Sequence, residues 1–112
     1  MPDEKKETLI KLCKALSDPT RLKIFLFLAE RSLCVKAIVK FLGVSQPAVS
    51  QHLRILKEAG LVKADKRGYW MHYSANLKKL RELVDIILEI TGREENKKEK
   101  HDLLLKKELQ NE

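Results

Sequence analysis

The stretch from Phe41 to Val62, FLGVSQPAVSQHLRILKEAGLV, leaves almost no room between two segments of helical periodicity. Gly43 ends the first and Ser45 can cap the second, so a turn of about three residues joins them at the spacing of a helix-turn-helix. A link this short fixes the angle between its helices, and it constrains the fold more than any other part of the chain. The second helix, about Gln46 to Ala59, turns Val49, Leu53 and Leu56 to one side. Gln46, Ser50, Gln51 and Arg54 lie away from that stripe, near the helix start, with Ser45 at the cap. A buried helix would carry leucine at such positions. Short hydroxyls and amides at a helix N-terminus instead suit the base edges of a DNA major groove, and the terminus itself favours a phosphate. His52 either touches the same DNA or packs at the edge of the helix.

The remaining segments arrange themselves around this unit. Leu9, Leu12, Cys13 and Leu16 recur at helical spacing, which predicts a first helix (α1) over about Glu4 to Leu16. Asp18 can then cap a second helix (α2) from Pro19 to about Arg31, with proline where a missing N–H costs nothing. Leu22, Ile24, Phe25, Leu26, Phe27, Leu28 and Ala29 make that helix apolar nearly all round, so it is expected at the buried centre. A third helix (α3), Leu33 to Leu42, places Val35, Ile38, Val39 and Leu42 on one face and Lys36 and Lys40 away from it, as candidate phosphate partners.

After the fourth helix (α4, Gln46 to Ala59), Gly60 breaks the pattern and the period falls to two. Val62 and Ala64 precede a KRG turn and Tyr69, Met71 and Tyr73 follow it, the signature of a β-hairpin. Lys66 and Arg67 sit at its tip, where they can meet backbone phosphate or the minor groove, while Trp70, His72 and the two tyrosines are expected to pack. A last helix (α5), Asn76 to Thr91, carries Leu77, Leu80, Leu83, Val84, Ile87, Leu88 and Ile90, a wider apolar face than one small domain requires. With the first helix it offers a surface for a second copy; the alternative is that both cover a monomer core. The fold class is therefore mainly α with a small β-hairpin: a winged helix-turn-helix of order α1-α2-α3-α4-β-β-α5, homodimeric through its first and last helices. Residues 1–92 form one domain; 93–112 form a charged tail, helical or disordered, with Leu103 to Leu105 and Leu109 as its apolar residues and His101 solvated.

Charge supports the same partner. The formal charge is +7, and the excess lies wholly before Arg93: 17 Lys and Arg face 10 Asp and Glu there, against 6 and 6 in the tail. A basic body attracts polyanions, either nucleic acid or an acidic membrane. No apolar run is long enough to span a bilayer and the N-terminal residues do not form a secretion signal, so a cytoplasmic protein with no membrane partner is expected. Two cysteines are too few for a disulfide scaffold. No glycine-rich phosphate loop, no nucleophile with a base and orienting acid, and no complete metal-ligand cluster is present, so the chain is not expected to be an enzyme.

The segments KALSDPTRLKIFLFL and SLCVKAIVKFLGVSQPAVSQHLRILKEAGLVKADKRGYWMHYSA resemble the ArsR/SmtB family of winged-helix repressors, over about Leu12 to Ser74 and into the last helix. The resemblance implies a homodimer on a palindromic double-stranded DNA operator, repressing nearby genes until an inducer intervenes. In much of the family the inducer is a soft metal or metalloid ion. The chain departs from the family at the sensing site. The arsenic and cadmium/lead sensors carry Cys-Val-Cys at the start of the third helix; here Cys34 stands in the first slot and Lys36 in the second. The zinc and cobalt sensors use histidine with acids on the last helix, where this chain has Glu82, Asp85 and Glu89 but no histidine. Cys13 and Cys34 remain as metal candidates: if they approach, they can bind a soft ion or form a reversible disulfide. Otherwise Cys13 is a small buried hydrophobe and Cys34 has a structural role only. The competing functions are a regulator with no metal site, a winged-helix protein-interaction module and a non-specific architectural DNA binder.

Overall fold

A computed structural model of the chain describes residues 1–92 and 103–110. Within residues 1–92 the elements follow in the order α1 (Asp3–Leu16), α2 (Pro19–Glu30), β1 (Leu33–Cys34), α3 (Val35–Leu42), α4 (Gln46–Glu58), β2 (Val62–Arg67), β3 (Trp70–Ala75) and α5 (Leu77–Ile90). Residues 103–110 are helical and exposed. The expectations for 93–102, His101 among them, and for 111–112 fall outside the described residues.

Three helix starts, those of α2, α4 and α5, are capped by a side chain. The Asp18 carboxylate accepts the Arg21 backbone N–H at 2.9 Å, the Ser45 hydroxyl accepts that of Ala48 at 3.4 Å, and the Asn76 amide oxygen accepts that of Lys79 at 3.4 Å. Gly43 closes α3 in the left-handed region, φ 66°, its N–H donating to the Val39 carbonyl at 2.9 Å. A side chain at that φ is strained, which is why the tight turn to α4 uses glycine.

One core joins all the elements. Leu12 and Ala15 of α1, Ile24, Phe25 and Leu28 of α2, Ile38 of α3, Val49, Leu53 and Leu56 of α4, Leu61 and Val62 at the wing base, and Leu83 of α5 pack together. Val49, Leu53 and Leu56 are the three positions that periodicity turned inward.

The structure corrects the sequence reading in four places. Helix α3 begins at Val35, because Leu33 and Cys34 pair with β3 instead; the hairpin is thereby extended to a three-stranded antiparallel sheet of order β1-β3-β2. A two-residue strand is too short to show alternation. Helix α2 is not buried all round: Leu22 and Leu26 are exposed while Ile24, Phe25 and Leu28 are buried. Cys13 is exposed on α1 rather than buried. Tyr69 does not pack but stands 98% exposed at the hairpin tip, and Trp70 and Met71 are also exposed, leaving Tyr73 against the core.

The sheet register sorts its residues by face. Leu33, Tyr73 and Ala64 lie opposite one another across the three strands, as do Cys34, His72 and Asp65 on the other face. At the base of the hairpin, the Asn76 backbone N–H donates to the Leu61 carbonyl at 2.7 Å and its side-chain amide donates to the Gly60 carbonyl at 2.9 Å. Among the described residues no helix is long and apolar enough to cross a membrane.

Candidate nucleic-acid interface

Helix α4 presents its polar residues as a line. Gln46, Ser50 and Arg54 are spaced four residues apart and Lys57 follows by three, so all lie within a narrow sector of the helix, and all are exposed. Gln51 is exposed on the flank of this line. The hydroxyl of Ser45 is engaged in capping, which anchors the helix start from which the line begins. Beside it, the buried Val49, Leu53 and Leu56 hold the helix to the core. The reading face is thus rigid where its own backbone is concerned and free in its side chains.

Arg54 and Ser50, together with Lys57, Leu53 and Tyr73, line an open cleft of about 220 Å³ between α4 and the wing strand β3. Two cations and two hydroxyls over an apolar floor suit an acceptor-rich partner, a guanine edge or a backbone phosphate. Lys57 and Tyr73 were missed by sequence reasoning: Lys57 lies beyond the first helical turns, and only the fold brings Tyr73 beside it.

The wing carries a second group. Arg67 pairs with Trp70 across the strand ends, so Gly68 and Tyr69 form the tip and Lys66 and Arg67 lie immediately beside it. Lys36 is not free: its ammonium lies over the Trp70 ring, 5.1 Å from the centroid. It fastens the start of α3 to the wing. Lys40 is exposed on α3.

His52 belongs to a different network. Its Nδ1 is 3.4 Å from Nη1 of Arg21 and its Nε2 is 4.0 Å from the Asp18 carboxylate, with the side chain only 19% exposed. It packs at the edge of α4 rather than joining the line of Gln46, Ser50 and Arg54. Arg21 also donates from Nε to the Ala15 carbonyl at 2.8 Å and from Nη2 to the Lys14 carbonyl at 3.3 Å, so one guanidinium ties the end of α1 to α4. The Asp18 carboxyl is held below its ordinary pKa, first by the Arg21 backbone N–H and then, against desolvation, by the charges of His52 and Arg21.

The two thiols are free, and they sit on different elements: Cys13 exposed on α1, Cys34 half-buried at the start of α3. No group of three or more Cys, His, Asp or Glu side chains among the described residues is placed to hold a metal ion.

Residues 18–64, the segment that carries the helix-turn-helix, match the family model described as bacterial regulatory protein, arsR family. An uncharacterized HTH-type transcriptional regulator of Methanocaldococcus jannaschii is 43% identical over 88 residues, covering 78% of this chain and 99% of that protein. The arsenical resistance operon repressor of Escherichia coli is 48% identical over 65 residues, 57% of this chain; the match spans only 56% of that repressor. Among solved structures, an ArsR-like transcriptional regulator from Rhodococcus superimposes with a TM-score of 0.72 at 28% identity, covering 93% of each chain.

Proposed function

This chain belongs to the arsR family of bacterial regulatory proteins, non-enzymatic DNA-binding transcriptional regulators, and from that premise we propose that it is a homodimeric repressor of a palindromic operator, released by an inducer. The observation that carries the reading is the exposed line Gln46, Ser50, Arg54 on a helix anchored to the core by its neighbouring buried stripe. In this reading α4 enters the major groove, with Ser45 and Gln51 beside the line. Lys66 and Arg67 meet the backbone or minor groove from the wing, and Lys40 and Lys36 lie near phosphate. Residues 1–92 act as the DNA-binding and dimerisation unit, working in the cytoplasm.

Support for a second copy comes from apolar side chains that one copy leaves in water: Ile10 on α1 and Val84, Ile87 and Ile90 on α5. A two-fold dimer would cover them and present two α4 helices to two half-sites. The inducer is a soft metal or metalloid ion or thiol oxidation. The relative named for arsenical resistance supports the ion, and Cys13 and Cys34 are the only thiols available to either chemistry.

The test is fluorescence anisotropy with duplex from the protein's own promoter region and with scrambled duplex, at one fixed salt concentration. Specific binding at least ~10³-fold tighter than to scrambled duplex is expected. Arg54→Ala is expected to cost about 1–3 kcal/mol and relax preference at one base position. Equal affinity for both duplexes would mean an architectural binder. No loss in folded Arg54→Ala would favour a protein-docking module.

A further inference from the structure

Helix α1 faces two ways. It leaves Ile10 exposed on one side, where a second copy would cover it, and buries Leu12 and Ala15 in the core that also holds α4. Apolar packing of this kind is non-directional, so it does not by itself fix how far α4 stands along α1. A directional tie does. The Arg21 guanidinium donates from Nε to the Ala15 carbonyl at 2.8 Å and from Nη2 to the Lys14 carbonyl at 3.3 Å, while its Nη1 lies 3.4 Å from Nδ1 of His52 on α4. A guanidinium has donors only, so Nδ1 accepts, and the ring proton is then on Nε2, on the side of the Asp18 carboxylate 4.0 Å away.

We propose that Arg21, gripped between the end of α1 and His52, is the positioning residue that fixes the separation of the two reading helices in the dimer, and with it the half-site spacing the repressor accepts. The proposal rests on the dimeric reading given above.

The chemistry suits the task. The last carbonyls of a helix have no partner within it, and a cation placed there also meets the negative end of the helix dipole. The planar fork of arginine holds several acceptors in fixed directions, which the ammonium of lysine cannot do. Only Ser17 and Asp18 separate α1 from α2, and Asp18 accepts the Arg21 backbone N–H, so the base of the side chain is held as firmly as its tip.

The two-fold doubles any error in this tie. With α1 fixed at the dimer axis, a slip of α4 along α1 occurs in both copies, and the reading helices part by twice its length. Ten base pairs span about 34 Å, so a slip of ~1.7 Å in each copy equals a whole base pair. Loosening the tie therefore widens the range of spacings that the dimer can match. It leaves each α4 able to read its own half-site, because His52 lies roughly on the other side of that helix from Gln46, Ser50 and Arg54.

The full chain is titrated by fluorescence anisotropy at one fixed salt concentration against three kinds of duplex. These are the promoter segment it binds, the same segment with one or two base pairs added at its centre, and the segment with one half-site scrambled. Wild type should bind the paired site roughly 10²-fold more tightly than the single one, and one added base pair should forfeit at least ~tenfold of that. Arg21→Met keeps the apolar stem and removes every donor. Folded and dimeric by sedimentation, it should bind the single half-site within about twofold of wild type and lose no more than about threefold on the added base pair. His52→Ala cuts the tie from α4 and should behave alike. His52→Asn, whose amide oxygen can stand near the place of Nδ1, should restore the spacing preference. Should Arg21→Met not fold, the two His52 variants carry the test. Unchanged spacing preference in the folded variants overturns the positioning role and leaves the repressor standing. So does an equal loss on paired and single sites, which marks general damage or a direct DNA contact, and so does His52→Asn behaving as His52→Ala does. A wild type indifferent to spacing overturns the dimeric reading and the positioning role together.

Discussion

Asp18 shows how much one side chain can be asked to do. Its carboxylate caps α2 and faces His52 of α4, while Arg21, one turn along, reaches the last carbonyls of α1. Three helices therefore meet at a single charge cluster, and its pH dependence has a definite sign. Because the folded pKa of Asp18 lies below its unfolded value, the carboxylate adds stability above that unfolded value, and the addition is lost as pH falls through the folded one. Asp18→Asn keeps a capping oxygen but removes the titration. Urea midpoints measured from about pH 5 down to about pH 2 should fall less steeply for Asp18→Asn than for wild type; parallel curves would show that this carboxylate does not contribute. His52 illustrates the limit of reading a helix by its polar residues. Its place in the sequence, between Gln51 and Leu53, allowed either DNA contact or packing, and only the approach of α2 decides for packing.

At the scale of elements, legibility followed length. The helices announce themselves by repeated apolar spacing and by Asp18, Gly43, Ser45 and Gly60 at their ends, and their observed bounds lie within about two residues of those expected. The β1 strand was hidden because two residues carry no period; with it went the row of Cys34, His72 and Asp65, which exists only through pairing of strands far apart in the chain. The cleft of Lys57 and Tyr73 was hidden for the same reason. Tyr69 was misread because aromatic residues in an alternating segment usually pack, whereas a two-residue turn expels whatever it holds. The wing tip is Gly68 with an outward Tyr69, and Lys66 and Arg67 lie immediately beside it. If its two cations neutralise phosphates, the double variant Lys66→Ala, Arg67→Ala should weaken binding to all duplexes alike. It should also reduce the slope of log K against log salt by about 1.8. A change confined to one operator position would mean base contact instead.

For the whole molecule, the apolar side chains left exposed on α1 and α5 set the expectation. A charge at Ile10 or Ile87 costs little in the isolated chain, where both are about half exposed, but it would be buried unpaired in a dimer. Ile10→Glu and Ile87→Glu should therefore sediment as folded monomers at micromolar concentration. Their operator affinity should fall by roughly 10²-fold or more, because the second half-site no longer binds as part of the same body. Retention of the dimer by both would move the interface elsewhere.

Asn76 adds a consequence of a different kind. By holding the Leu61 and Gly60 carbonyls it brings the two ends of the hairpin together at a fixed seam. Beyond the pairing with β1, residues 66–71 form a free end of the hairpin, where residues can be added or deleted in matched pairs while the frame beneath keeps its register. The reach of the wing, and with it the groove geometry it prefers, can thus be altered without renegotiating the stability of the body that carries it.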